Sequence, residues 1–141
     1  FSFDVEESCN KLRELIDSTK KAYDEGNRPV DKDAKRILVT GCPLGGVLDK
    51  VVNTIETSGG AVVCLENCGG IKPNRRMIDE NTDDIVGAIS DRYLGIGCSV
   101  MTPNFKRLEL LPELLQEFRI DGVMEVILQA CHTYNIEKYF F

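Results

Sequence analysis

The sequence has no tryptophan, a single histidine and no Cys-x-x-Cys pair, and each absence narrows the chemistry open to the chain. A thiol nucleophile that needs histidine has only His132 as its partner. Structural zinc sites usually take their ligands from two closely spaced pairs, which are missing here. No apolar run approaches the roughly 20 residues that span a bilayer. The first segment, 4–25, is charged and helical in pattern, so we expect neither a secretory signal nor a membrane protein.

Positive charge is also never concentrated in one place. The 141 residues carry a formal charge of −6, and the nearest approach to a basic cluster is Arg75-Arg76. Proteins that bind nucleic acid need a basic surface to neutralise phosphates, so we expect no nucleic-acid partner. Six cysteines accompany an ordinary globular composition, 43% apolar and 28% charged. Because nothing suggests export, we interpret them as reduced thiols in a cytoplasmic protein.

Helical and β-rich patterns alternate along the chain. Three short apolar runs predict strands at 36–40, 61–65 and 123–128. Helices are predicted at 4–25, at 47–57, at 73–94 with a break near 81–84, at 105–118 with a break or start at Pro112, and after residue 131. This order predicts a three-layer α/β fold, with a mainly parallel sheet and helices on both faces, of the Rossmann or flavodoxin type.

The same pattern divides the chain into two parts. We expect a leading helix with its linker at 1–35 and an α/β domain at 36–141. The sequence stops on the apolar residues Tyr139-Phe140-Phe141, soon after a helix start. We therefore expect a domain excised from a longer protein.

Three cysteines come just after the three predicted strands: Cys42, Cys68 and Cys131. In an open α/β sheet, ligands bind beyond the carboxyl ends of the strands. We therefore expect these thiols to converge on one edge, where soft sulfur ligands favour an iron–sulfur cluster or zinc. Cys64 falls inside a strand, and we expect it to face the core as a small apolar residue. Cys9, on the leading helix, is interpreted as structural.

Glycines surround two of these cysteines. Gly41, Gly45 and Gly46 flank the first, and Gly69 and Gly70 follow the second. They are candidates for binding a cofactor through their backbone N–H groups, as in a phosphate loop. The segment 41–46 nevertheless lacks both Gly-x-Gly-x-x-Gly and the Gly-Lys-Ser/Thr of a P-loop. The alternative is that the glycines serve only tight turning and close approach of helix and strand.

Other interpretations of the thiols fit the sequence less well. A phosphatase nucleophile needs a nearby arginine, and Cys42 has none in range, while Arg75 is too far from Cys68 for the usual short loop. His132 is adjacent to Cys131, and neighbouring side chains point apart. It remains a candidate hydrogen-bond donor to a ligand. The last alternative is that the cysteines simply fill the core.

Four motifs resemble the carboxy-terminal half of the 2-hydroxyacyl-CoA dehydratase D-component family, from about Arg36 onward. They are Gly-Cys-Pro-Leu-Gly-Gly at 41–46, Glu-Asn-Cys-Gly-Gly at 66–70, Gly-Cys-Ser-Val-Met-Thr-Pro-Asn at 97–104 and Leu-Gln-Ala-Cys-His-Thr-Tyr-Asn at 128–135. That family includes (R)-2-hydroxyglutaryl-CoA dehydratase subunits, benzoyl-CoA reductase subunits and double-cubane cluster proteins. The resemblance implies a [4Fe–4S] cluster, or two cubanes joined by sulfide, held between two similar domains.

The resemblance also implies roles and partners. Cys131 would be the first cluster ligand, Cys42 and Cys68 further ligands in a double cubane, and Cys98 a reserve ligand. Ser99 and His132 would be the catalytic residues. Ser99, with Thr102, would contact the acyl-CoA thioester or a CoA phosphate, although both fit turns equally well. The implied partners are a paired dehydratase subunit, an ATP-dependent activator and an amino-terminal domain that is missing here. We therefore expect the chain alone to bind no intact cluster and to be catalytically silent.

Three functional hypotheses follow from this resemblance. The leading one is an activator-dependent dehydratase in which one low-potential electron makes a ketyl radical and water leaves a 2-hydroxyacyl-CoA. The second is a double-cubane protein that reduces small molecules or transfers electrons. The third is a non-catalytic domain of the same fold. The number of cysteine ligands in the full-length protein separates the first two hypotheses.

Overall fold

A computed structural model describes residues 4–101 and 103–140 of the chain. The chain divides into two compact units, Phe1–Asp33 and Ala34–Phe141. The first unit contains helix α1, Val5–Asp24, whose start is capped by the Asp4 side chain accepting from the Glu7 N–H at 3.0 Å. An aspartate in this position satisfies one of the unpaired N–H groups of the first turn. The leading helix is thus confirmed, and none of its residues is buried.

The second unit is built on one three-stranded sheet. Strands β1 (Lys35–Gly41), β2 (Gly60–Glu66) and β3 (Gly122–Val126) are all parallel, in the order β2-β1-β3. Helices α2 (Leu48–Thr57), α3 (Ile85–Leu94), α4 (Phe105–Glu117) and α5 (His132–Glu137) and a 3₁₀ helix (Lys138–Phe140) complete the unit. The predicted α/β fold with a parallel sheet is confirmed.

The core lies on both faces of this sheet. Leu38 packs with Cys64 and with Leu114 of α4 on one face. Its neighbour along β1, Val39, packs with Ile55 of α2 on the other face. Successive residues of a strand point to opposite faces, so one strand supplies both halves of the core. Helices therefore cover both faces, as the three-layer prediction required.

The prediction of a helix over 73–94 is wrong in its first half. Only Ile85–Leu94 is helical, and residues 73–84 form turns and irregular backbone. The Arg92 guanidinium donates to the carbonyl oxygens of Pro73 and Arg76, the second at 3.1 Å. These backbone acceptors are thus satisfied by a side chain instead of by a helix. The Asp84 side chain then caps α3 by accepting from Gly87 N–H at 2.8 Å.

Two smaller predictions also need correction. Helix α4 runs through Pro112 without the expected break, although proline cannot donate an intrahelical hydrogen bond. Strand β3 ends at Val126 instead of residue 128, and a turn follows in which Ala130 has a φ of 65°. No helix among residues 4–101 and 103–140 is both long enough and apolar enough to cross a membrane.

Candidate functional site

The three predicted ligand cysteines follow the three strands at one edge of the sheet. Cys42 comes directly after β1, Cys68 two residues after β2, and Cys131 five residues after β3. Because the strands are parallel, their carboxyl ends lie at the same edge. The edge that the sequence predicts as the site is therefore the edge at which these segments emerge.

Two of the thiols interact directly. The Cys42 N–H donates to the Val126 carbonyl at 2.8 Å, and the Leu128 N–H lies 3.5 Å from Cys42 Sγ, which brings the loop after β3 against Cys42. The thiols of Cys42 and Cys131 are close enough for each to affect the pKa of the other. Residues separated by most of the domain thus meet at the boundary between two adjacent strands.

The two interacting thiols have opposite electrostatic environments. Cys42 is buried, and this burial is the main cause that raises the pKa of its thiol. Cys131 is partly exposed, and a hydrogen bond with the Thr133 hydroxyl, 3.6 Å away, is the main cause that lowers its pKa. The backbone N–H of Tyr134 lowers it further. Cys131 is therefore the thiol of the pair that ionises more readily.

The other two candidate ligands stand apart from this pair. Cys68 is exposed, and Cys98 is partly buried in a turn where its carbonyl accepts from Met101 N–H at 2.8 Å. Across residues 4–101 and 103–140, no group of three His, Cys, Asp or Glu side chains is placed to hold a metal ion. The chain thus brings two of its candidate ligands together, and the use of all four as ligands stays a prediction.

The glycines near the first strand have different surroundings. A Cβ added at Gly41 would collide with the carbonyl of Val126, and its φ is +103°. Gly46 also has a positive φ, +75°, whereas Gly45 has no neighbouring atom within 4 Å of an added Cβ. Gly41 is therefore required for close approach of β1 and β3, the packing alternative that the sequence left open.

The glycines after the second strand lie against their own loop. A Cβ at Gly70 would collide with the carbonyl of Leu65. The N–H of Gly69 donates to the side-chain oxygen of Asn67 at 2.9 Å. This N–H is therefore already engaged within the chain. Its use for a cofactor, like that of the other four glycines, stays a prediction.

A cavity of about 500 Å³ is lined by both candidate catalytic residues, Ser99 and His132, the second of which follows Cys131 directly. Ser99, His132 and Thr133 supply polar groups, and Phe105 and Ile136 contribute to the apolar wall. The Ser99 hydroxyl, 8% exposed as a residue, donates to the Thr133 hydroxyl at 3.4 Å. Hydroxyl groups thus lead from the cavity to the Cys131 sulfur. The other candidate, Thr102, lies outside the described residues.

Sequence reasoning missed a buried charged cluster beneath this edge. Arg107 of α4 is 1% exposed, and its guanidinium contacts Thr40, Glu66, Glu125 and Glu137. An arginine is almost never fully buried unless it is paired. The helical pattern around Arg107 therefore gave no indication that its side chain is buried. The signal lay in the strands, because Thr40, Glu66 and Glu125 are polar residues near strand ends where apolar residues are the rule.

A second cation completes the cluster. Lys72 is 4% exposed, and its Nζ lies 2.9 Å from Glu66 Oε1, without the alignment of a hydrogen bond. The ring of Tyr134 faces both cations, with its centroid 5.0 Å from the Arg107 guanidinium carbon and 6.0 Å from Lys72 Nζ. Such cation–π contacts hold the first turns of α5 against the cluster.

The sequence profile described as "2-hydroxyglutaryl-CoA dehydratase, D-component" matches residues 1–141. The chain belongs to this family. It is also similar to the Escherichia coli K12 protein named "Putative dehydratase subunit YjiM", with 45% identity over 138 residues. That alignment covers 98% of this chain and 35% of the relative, so the chain spans about a third of the relative's length.

The donor set of this family member fits part of an iron–sulfur site. Iron–sulfur clusters are held by cysteine thiolates. Cys42 and Cys131 offer two adjacent sulfurs at a strand edge, and Cys131 has a lowered pKa. They would fit as part of a ligand set, and any remaining ligands would come from Cys68, Cys98 or other parts of the protein.

Proposed function

We propose that this chain is part of an iron–sulfur, activator-dependent (R)-2-hydroxyacyl-CoA dehydratase. The observation that carries the proposal is the proximity of the Cys42 and Cys131 thiols at the carboxyl edge of a parallel sheet, where the loop after β3 packs against Cys42. In open α/β sheets, ligands bind beyond the carboxyl ends of the strands, which is where these two thiols lie. Membership of the dehydratase D-component family supports the same chemistry.

In this proposal Cys131 and Cys42 ligate the cluster, and Cys68 and Cys98 are the further candidates in this chain. The bound cluster would supply a low-potential electron to the acyl-CoA thioester. Gly41 keeps the strand ends close, since any larger residue would collide with β3. Gly45 and Gly46 would keep their loop free of side chains, so that backbone N–H groups there can approach sulfur. Gly69 and Gly70 would keep side chains away from Cys68, because their own N–H groups already donate to Asn67.

The cavity beside Cys131 is the proposed position of the reacting end of the substrate. Its hydroxyl and imidazole groups, on Ser99 and His132, would donate hydrogen bonds to the thioester oxygen, whose negative charge grows as the electron arrives. The apolar wall, with Phe105 and Ile136, would exclude water from the radical. Loss of the 2-hydroxyl together with a proton from carbon 3 would then give water and the unsaturated acyl-CoA, and the electron would be returned.

The proposal requires components that this chain does not supply. A paired dehydratase subunit and a further domain of the same protein would complete the ligand set. An ATP-dependent activator would deliver the electron. The chain spans about a third of the E. coli relative, whose name describes a dehydratase subunit, which agrees with an incomplete set of parts.

We expect Cys131→Ala to abolish the cluster in the full-length protein. The matched control is Cys64→Ala, because Cys64 lies in the core between Leu38 and Leu114 and should not touch the cluster. Anaerobic electron paramagnetic resonance of the reduced proteins should show the cluster signal in wild type and Cys64→Ala only. With activator, ATP and an (R)-2-hydroxyacyl-CoA, the same two proteins should form the unsaturated product. An unchanged signal in Cys131→Ala would refute the ligand assignment.

The same spectra decide between the dehydratase and a double-cubane protein. Cys68, which follows β2 at the edge shared with Cys42 and Cys131, favours the second candidate, since a larger ligand set is then available. A signal from two coupled cubanes, lost in Cys68→Ala, together with no turnover of acyl-CoA, would establish an electron-transfer or small-molecule-reducing role. A single-cubane signal with turnover would establish the dehydratase.

A further inference from the structure

A row of polar side chains crosses the sheet just before the cysteine-bearing loops. Thr40 of β1 pairs in register with Glu66 of β2 on one side and with Glu125 of β3 on the other. Residues that share a register position in a parallel sheet point to the same face. Thr40 and Glu66 are each 1% exposed, and the Glu125 side chain is 17% exposed. One buried face therefore carries a carboxylate, a hydroxyl and a second carboxylate side by side.

The guanidinium of Arg107 covers this row and contacts every member of it. Its Nη2 donates to Thr40 Oγ1 at 2.8 Å and to Glu125 Oε1 at 3.2 Å. Its Nε donates to Glu66 Oε2 at 3.3 Å, and the Thr40 hydroxyl donates to the same oxygen. The planar fork of arginine can bridge several acceptors at fixed angles, which the single ammonium of lysine cannot do. Arg107 thus ties the ends of all three strands to one rigid group.

The same side chain also holds the helix that follows Cys131. Arg107 Nη1 donates to Glu137 near the end of α5, and the Tyr134 ring packs against the guanidinium with its centroid 5.0 Å from the central carbon. Because α5 starts at His132, these contacts fix the helix that begins immediately after Cys131. Thr40, at the other end of the network, lies two residues before Cys42. One guanidinium therefore connects the two segments that carry the interacting thiols.

Stability alone is a weak reason for such a cluster. Removing two or more charges from water is costly, and apolar side chains of similar volume are often at least as stabilising as a buried ion network. What the network provides beyond packing is direction, because each hydrogen bond fixes an angle as well as a distance. The charged cluster around Arg107 lies directly under the loops that carry the thiols. A ligand set needs side chains held at fixed angles, and the hydrogen bonds of this cluster can supply them there.

We propose that Arg107 is a positioning residue that sets the distance between the Cys42 and Cys131 sulfurs. The inference rests on the proposed function in one respect, that the two sulfurs bind the same cluster. The geometry itself is measurable without any cluster. Its test can therefore fail or succeed independently of the dehydratase proposal.

The experiment uses phenylarsine oxide, a trivalent arsenical that bridges two neighbouring thiols. The full-length protein is treated with a chelator to remove iron, reduced and titrated with the arsenical without oxygen. Mass spectrometry of the digested protein identifies the bridge between Cys42 and Cys131. The variants are Arg107→Met, which removes the fork, and Arg107→Lys, which keeps one charge. The matched control is Leu114→Ala, which lies two turns further along α4 and is fully buried in the apolar core.

We expect wild type to form the bridge and Arg107→Met to bind the arsenical at least about tenfold more weakly, since small misplacements greatly reduce the effective concentration of a second group. Arg107→Lys should lie between them. Leu114→Ala should lose stability to urea but stay within about twofold of wild type in arsenical binding. A weakening in Leu114→Ala equal to that in Arg107→Met would show a merely structural effect and overturn the proposal.

The remaining outcomes also decide the proposal. Unchanged bridging in a folded Arg107→Met protein, or no bridge in wild type, would overturn the proposal. If Arg107→Met does not fold, Thr40→Val removes both hydrogen bonds of the Thr40 hydroxyl, and Glu137→Gln removes the charge that faces Arg107 Nη1. We expect each to weaken the bridge by about threefold, and unchanged binding in both would overturn the proposal. Because the assay contains no iron, sulfide or CoA, a wild-type protein that bridges the arsenical but assembles no cluster would count only against the proposed function.

Discussion

Among the six cysteines, Cys64 shows most simply how the surroundings of a thiol change its pKa. It lies within β2, 6% exposed, between Leu38 and Leu114. Burial raises its pKa to about 11, and the nearby carboxylate of Glu66 adds to the effect. The thiol therefore stays protonated over the whole physiological range, and it is neither a ready nucleophile nor a ready metal ligand.

This shift predicts a loss of stability at alkaline pH. The folded pKa of Cys64 lies above the ordinary value of 9.0, so the folded state holds the proton more tightly. Its contribution is complete below pH 9 and disappears as the pH rises through 11, a change of roughly 2 to 3 kcal/mol. Urea unfolding at pH 8 and pH 11 should therefore show a smaller alkaline loss in Cys64→Ala than in wild type.

The comparison has a built-in control, because lysines and tyrosines titrate alike in both proteins. Part of the alkaline loss should remain in Cys64→Ala, since burial also raises the pKa of Cys42. The variant should be about 1 kcal/mol less stable at pH 8, as expected for a small cavity. An identical alkaline loss in the two proteins would mean that the Cys64 thiol has the same pKa in the folded and unfolded states, and would contradict the raised pKa.

How far the sequence predicts the site depends on the kind of residue. The burial of Cys64 followed from its place inside a strand and the apolar character of a free cysteine. The prediction that Cys42 and Cys131 converge followed from the parallel arrangement of the strands. Arg107 could not be predicted, since its burial depends on three carboxylates distant in the sequence. A local sequence pattern indicates which face of a strand or helix a residue occupies. It does not indicate which charged side chains from other parts of the chain contact that residue.

At the scale of elements, the segment 73–84 shows the same limit. Its composition allows a helix, yet Arg92 satisfies the carbonyls of Pro73 and Arg76 from a later part of the chain. Lys72, just before this segment, forms an ion pair with Glu66. Tertiary contacts of side chains thus decide between two backbone conformations that differ little in intrinsic propensity. The bounds of α1 and α4 were predicted to within one residue, because both helices are long enough for their residue pattern to identify them.

Helix α4 carries an internal proline that should lower its stability. Pro112 is exposed and interrupts the hydrogen bond to the carbonyl of Leu108. Pro112→Ala restores that donor but frees the unfolded chain, which offsets part of the gain. We expect a net stabilisation of about 2 kcal/mol in urea unfolding. Glu109→Ala, an exposed control in the same helix, should change the free energy of unfolding by no more than about 0.5 kcal/mol. A destabilised Pro112→Ala would mean that the proline ring contributes packing that exceeds the missing bond.

At the scale of the whole molecule, the ligand set is the decisive quantity. A cubane cluster bound by protein takes four cysteine thiolates in the usual case. Within the described residues the chain brings two thiols together, and no group of three metal-ligating side chains is formed. The chain also spans only about a third of its E. coli relative. The proposed cluster would therefore need further ligands, from Cys68, Cys98 or, as we propose, from segments outside this chain.

We therefore expect the 141-residue chain alone to hold no stable cluster. Anaerobic reconstitution with iron and sulfide should give less than stoichiometric iron, which a chelator removes at once, because two ligands leave the other cluster irons open to competition. The full-length protein, treated in the same way, should retain its iron. A Cys42→Ser/Cys131→Ser chain gives the background of non-specific iron. A stoichiometric, chelator-resistant cluster on the chain alone would contradict this expectation. It would mean that two further cysteines, such as Cys68 and Cys98, join the pair and complete the ligand set without a partner.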